Sequence, residues 1–175
     1  MPSPGLIDLR LANAGQLFNT MDPSPFHERD LDHDAEEFIY GWARECDVSH
    51  PLRLRIVLRQ TPESSVTHMV QASIRNYFAY RAEVTRRDRR ELFREGRMAL
   101  AIGVAFLGVT LALRSFLPAG QGWWEWVREG LTICGWVGLW KPIDILLYRW
   151  WPLRRQERLQ SRLADCPIEV VFDPE

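Results

Sequence analysis

"MALAIGVAFLGVTLALRSFL", residues 98–117, contains no charged side chain before Arg114. About 20 helical residues rise roughly 30 Å, the thickness of a bilayer's hydrocarbon core. Arg86, Arg87, Arg89, Arg90, Arg94 and Arg97 precede the stretch. It is expected to be a first transmembrane helix. A second candidate, residues 131–153, is as long but carries Lys141, Pro142 and Asp144. Trp126 and Trp150 bracket it, roughly 36 Å apart along a helix, the spacing of two interfacial aromatic belts.

Orientation follows from the arginines. Arg149, Arg154, Arg155, Arg158 and Arg162 close or follow the second stretch, whereas the connection at 118–130 holds only Arg128, set against Glu125 and Glu129. The positive-inside rule then puts both termini in the cytoplasm and the short loop outside. The bland alternative is a soluble bundle with two buried helices. Residues 1–15, "MPSPGLIDLRLANAG", show no basic head before an apolar core, so no signal peptide is expected and the first apolar helix directs insertion. The location implied is the plasma membrane, the inner membrane of a bacterium, with the lipid bilayer as the first partner.

Polar residues in the second stretch carry the main question. Lys141 is the only lysine among 22 basic residues, the rest being arginine. On a helical wheel Gly130, Cys134, Gly138 and Asp144 fall on its side. A charge turned to lipid costs several kcal/mol, so this side is expected to pack against protein. Ala101, Ala105, Gly108 and Ala112 recur at 4-3-4 spacing on the first stretch and offer a matching stripe of small residues. Pro142, lacking an N–H, leaves the carbonyl of Gly138 without its helical partner. Lys141, Asp144 and that carbonyl are therefore expected to form one polar cluster. Its roles are a structural pair that fixes the hairpin or holds a partner, or part of an ion or proton path. An ammonium, unlike a guanidinium, can lose its proton when desolvated.

The remaining chain reads as a small cytoplasmic α+β domain on long helices that continue the two stretches. Leu52, Leu54, Ile56 and Leu58 alternate with Arg53, Arg55 and Arg59, the period of a half-buried strand over 52–58. "PIEVVF" repeats the pattern, giving a terminal strand at 168–172, and Leu6–Leu11 is a weaker third. A basic helix is expected over 62–97, with a bend at Gly96, and a helix from 154 leads to the last strand. Helices that rise antiparallel from the membrane would pair the strands at 52–58 and 168–172 antiparallel. Ile168, Val170 and Phe172 would then share a core with the leucines.

Segment 1–61 is acidic. Asp22-Pro and Ser24-Pro spell a turn, Asp34 suits a helix N-cap, and Phe38, Ile39 and Trp42 form an apolar stripe. Asp30, Asp32, Asp34 and Glu37 are a candidate partner surface. With His27 and His33 they also invite a metal reading, but calcium-loop spacing fails for want of the glycine and the closing glutamate. No metal is expected.

Other chemistry is excluded by what is missing. Twenty-two basic residues against 23 acidic give no nucleic-acid signature. No glycine-rich phosphate loop, G-x-S-x-G, H-E-x-x-H or paired C-x-x-C occurs, so neither an enzyme nor a cofactor is expected. Cys46, Cys134 and Cys166 are spaced as reduced thiols. The W-D-x-x-E-P signature of mitochondrial calcium uniporter pores is absent, since Trp140-Lys-Pro-Ile-Asp144 places a cation where those pores need acids. The expectation is a structural or regulatory membrane subunit that docks other membrane proteins, or itself, through its apolar helices and acidic segment. The alternative is an oligomer that moves ions or protons past Lys141 and Asp144.

Overall fold

The computed structural model of the chain describes residues 5–19, 30–47, 50–59, 64–118 and 122–173. It divides into two compact units, Met1–Thr85 with Arg155–Glu175, and Arg86–Arg154. The Asp22-Pro and Ser24-Pro turn and His27 lie outside the described residues.

The first unit holds strand β1 (Leu6–Leu11), helix α1 (His33–Glu45), strand β2 (Arg53–Leu58), the start of helix α2 (Ser64–Phe116), the end of a later helix and strand β3 (Ile168–Phe172). Among the described residues the strands form one sheet in the order β1-β2-β3, and both pairs are parallel. This overturns the antiparallel pairing expected for the second and third strands, and makes the unit α/β rather than α+β. Parallel neighbours need a crossover connection. Helix α1 supplies the first, and the helical excursion from α2 onwards supplies the second. The side-chain amide of Gln71, near the start of α2, donates to the carbonyl of Ile168 at 2.8 Å, so α2 passes the entrance of β3 rather than its exit.

Alternation explains which side of the sheet is covered. Ile7, Leu9, Leu54, Ile56, Leu58 and Ile168 are buried beneath Ile39 and Ala43 of α1, Val70, Ile74 and Phe78 of α2, and Leu159 and Leu163. Val170 is only half-buried and Phe172 is exposed, so of the three expected core residues in β3 one is fully enclosed. On α1 the core stripe is Ala35, Ile39 and Ala43, while Phe38 and Trp42 face outwards as a tilted ring pair 6.1 Å apart.

The N-cap of α1 is Asp32 and not Asp34: the Asp32 carboxylate accepts from the Asp34 N–H at 3.1 Å. A bridge between Phe18 and Leu31 fixes this choice, because the Asp32 N–H donates to the Leu17 carbonyl at 2.9 Å and holds Asp32 extended. Its own carbonyl then starts the helix by accepting from Glu36.

The second unit contains the rest of α2, helix α3 (Trp123–Val137), a short helix α4 (Trp140–Asp144), a π-helical turn (Ile145–Arg149) and the start of helix α5 (Trp150–Asp165). Helix α2 runs through Gly96 without a break. The second apolar stretch does not: it turns at Gly138–Leu139 and widens at 145–149. Two helices are long and apolar enough to cross a membrane, Val66–Phe116 and Trp123–Asp165, and only 11% and 17% of their most apolar stretches are buried. Two buried helices of a soluble bundle would show the reverse.

Candidate functional site

Within the second unit the two apolar helices meet along a face set by glycines. A Cβ on Gly103 would lie 2.8 Å from the Gly138 carbonyl oxygen and 3.0 Å from Leu139 Cδ2. A Cβ on Gly135 would strike Thr110 Oγ1 and Leu107, and one on Gly138 would come 2.8 Å from the Phe106 ring. Gly96 faces Ile145 and Leu146 in the same way. On α2 the contact positions Gly96, Gly103 and Thr110 recur every seven residues. On the second stretch Gly135, Gly138, Pro142 and Ile145 follow 3-4-3 spacing, and both patterns belong to helices packed knobs-into-holes.

The expected packing stripe lies elsewhere. Ala101, Ala105, Gly108, Ala112 and Cys134 are exposed, and Gly130 is half-buried. Nothing lies within 4 Å of a Cβ built on Gly108 or Gly130. Small side chains at 4-3-4 spacing and glycines at sevenfold spacing occur on the same helix, and only the second set faces the partner helix.

Nor are the three residues of the expected polar cluster brought together. Gly138 sits on the packed face, where its carbonyl, to which Pro142 can donate nothing, looks onto Gly103. Pro142 itself is buried, which carries its neighbour Lys141 about 100° round the helix, and Lys141 is exposed. Asp144 is half-buried. Among the described residues the side chains of Lys141 and Asp144 make no ion pair or hydrogen bond. Beside Lys141, the exposed side chains of Ile133, Trp136, Val137 and Trp140 enclose an open apolar groove of about 420 Å³.

In the acidic segment Asp30, Asp34 and Glu37 are exposed, and Asp32 is occupied as the cap. Glu36, which the sequence offers only as an acid suited to the helix N-terminus, acts as a tie. Its carboxylate accepts from the Tyr77 hydroxyl at 2.6 Å and from Arg81 Nε and Nη2 at 3.1 and 2.9 Å, joining α1 to α2. Burial, then the bond to Glu36, pushes the Tyr77 phenol well above its ordinary value. The i, i+4 spacing of Tyr77 and Arg81 was the available signal. Burial likewise raises the Cys166 thiol, consistent with an inert, reduced cysteine.

On its uncovered face the sheet aligns Asp8, Arg55 and Glu169 as direct neighbours across all three strands. Arg55 lies 3.8 Å from Asp8 and 3.9 Å from Glu169, in a shallow basin of about 320 Å³ completed by Arg10, Val57, Val171 and Asp173.

No family model, curated protein or solved structure matches the chain. Its own geometry defines the class: a three-stranded parallel α/β unit whose second crossover contains an apolar, glycine-packed helical hairpin.

Proposed function

We propose that the chain is a two-pass integral protein of the bacterial inner membrane that serves as a structural or regulatory subunit. It would dock other membrane proteins, or a second copy, through its apolar helices and the acidic start of α1. The distribution of arginines supports an orientation with both termini and the α/β unit in the cytoplasm. One observation carries the subunit role. Lys141 stands near the middle of the second apolar stretch, exposed and without a counter-charge among the described residues. A cation turned to hydrocarbon costs several kcal/mol, and a neighbouring chain that buries and pairs it removes that cost.

The test is native mass spectrometry of the full chain extracted in mild detergent, with Lys141→Leu alongside. A complex with other proteins, or a small fixed multiple of the chain, that weakens in the variant is the expected result. A monomer in both cases refutes the subunit role. Orientation is checked separately with a membrane-impermeant thiol reagent, which should reach Glu125→Cys in intact cells and leave Cys46 unlabelled.

A second reading is transport through a ring of copies. It draws on the interruptions of α-helical bonding at 138–139 and 145–149, which flank Lys141 and Asp144. Such departures recur at functional positions in membrane helices. A symmetric ring of one chain together with a liposome pH change would favour it.

A further inference from the structure

Among the described residues, two arginines at the loop end of the hairpin have no counter-charge. Arg114 lies four residues beyond Thr110 on α2, and Arg128 lies seven residues before Gly135 on α3. Both therefore stand on the faces that the two helices turn to each other. The contact between Leu107 and Gly135 sets the level. Seven residues up from Leu107 is Arg114 and seven down from Gly135 is Arg128, a rise of roughly 10 Å on each helix, so the two α-carbons stand at one level. Both side chains are half-buried, and in both the Nε–H is enclosed with no hydrogen-bond partner. Among the described residues neither makes an ion pair, and the nearby acids Glu125 and Glu129 are exposed and bonded to neither.

Two like charges carried from one level of facing helices, each with a shielded donor left over, suit an anion that both can reach. The position says which anion. The tilted ring pair of Trp123 and Trp124, centroids 3.9 Å apart, stands about one helical turn nearer the loop than Arg128, at the level that interfacial tryptophans take beside lipid headgroups. Arginine forks match phosphate oxygens in pairs. We propose that Arg114 and Arg128 clamp the phosphate of a membrane phospholipid at the loop end of the hairpin. This rests on the two-pass reading. The clamp ties the C-terminal turn of α2 to the first turns of α3 through a lipid, where the protein itself supplies no ion pair.

The test uses the full chain in detergent, with binding followed by native mass spectrometry and by the melting temperature. The probes are a short-chain phosphatidylglycerol, the matching diacylglycerol and inorganic phosphate. Phosphatidylglycerol should bind and raise the melting temperature, with the diacylglycerol inert and phosphate much weaker at equal concentration. Arg114→Gln and Arg128→Gln should each weaken phosphatidylglycerol binding roughly ten-fold or more, the loss of a charge-assisted bond. Equal binding by the diacylglycerol, equal effect of free phosphate, or undiminished binding in Arg114→Gln/Arg128→Gln each overturns the clamp. If that double variant fails to fold, Arg114→Lys/Arg128→Lys keeps the charges and loses the forks, and unchanged affinity there is equally fatal. Alkaline extraction separates the two readings. A chain released from membranes refutes the two-pass reading, whereas a chain that stays embedded but shows no phosphatidylglycerol preference refutes the clamp alone.

Discussion

Gly103 and Gly108 are interior residues of the same helix, and alanine at either should gain about 0.8–1 kcal/mol of helix propensity. Their surroundings differ. A Cβ at 108 meets nothing within 4 Å, whereas a Cβ at 103 lies 2.8 Å from a backbone oxygen, Gly138 O, and 3.0 Å from Leu139 Cδ2. Backbone cannot rotate away, so the helices must separate, and overpacking of this kind costs about 1–3 kcal/mol. Gly108→Ala should stabilise by up to about 1 kcal/mol and Gly103→Ala should destabilise by about 1. A gap of about 2 kcal/mol corresponds to melting temperatures some 4–8 °C apart for a chain of this size. The assay is thermal unfolding of both purified variants in one detergent, with the native chain between them. If Gly103→Ala melts at or above Gly108→Ala, the close approach of Gly103 to Gly138 is wrong.

Other perturbations test separate parts of the molecule. If an ion path exists, Lys141→Leu/Asp144→Leu should abolish its flux in liposomes, and flux retained at the native level ends the transport reading. Asp32→Ala should lose the α1 cap and about 1 kcal/mol in chemical denaturation, while Asp34→Ala loses clearly less; the reverse order would return the cap to Asp34. Tyr77 has its folded-state pKa raised above its ordinary 10.0, so its contribution is intact below that pH and is lost as pH rises towards the folded value. Stability measured from pH 9 to 11 should therefore fall more steeply in the native chain than in Tyr77→Phe, and equal slopes would refute the tie to Glu36. Thr85 donates to Gln160 at 2.8 Å where both are buried, so Thr85→Val should cost about 1–3 kcal/mol by stranding the amide, and Gln160→Leu in addition should recover part of it.

Alternation and apolar length were legible in the sequence, and pairing direction was not. Leu52 to Leu58 alternate with arginines, the habit of antiparallel sheets with one wet face, whereas parallel strands are commonly covered on both sides and read as continuous apolar runs. This sheet is parallel and still half open. The antiparallel expectation came from helices rising antiparallel from the membrane; in the parallel sheet Arg55 of β2 is lined up with acids on both flanks, Asp8 on β1 and Glu169 on β3. Exposed pairs at 3.8 and 3.9 Å add little stability. They do set register, because a slip of one residue would turn Arg55 into the core that Ile56 fills. The hairpin was misjudged for a related reason. A helical wheel drawn through Lys141 assumes an unbroken helix and an inward charge, and the second stretch breaks at Gly138–Leu139 and puts buried Pro142, not Lys141, on the packed face. Three carboxylates at alternate positions, 30, 32 and 34, could each have capped α1, and only the tertiary bridge from Phe18 to Leu31 selects Asp32.

Where the second apolar stretch departs from α-helical geometry, α2 presents a glycine. The turn at Gly138–Leu139 faces Gly103, and the π turn that begins at Ile145 faces Gly96. Each departure widens or displaces backbone by a fraction of a turn, and each glycine removes the side chain that would have met it. The two sets of residues therefore make sense only together: a regular second helix would leave notches at 96 and 103, and alanines there would force it straight or push it away. The notches are not equal. Gly103 receives a carbonyl, while Gly96 receives the methyl ends of Ile145 and Leu146, which can shift rotamer. Position 103 should then tolerate substitution least and position 96 more, although Gly96 is the residue with the stronger look of a hinge in the sequence. A glycine between Glu95 and Arg97 suggests a bend; here it serves as a seat for a neighbouring helix.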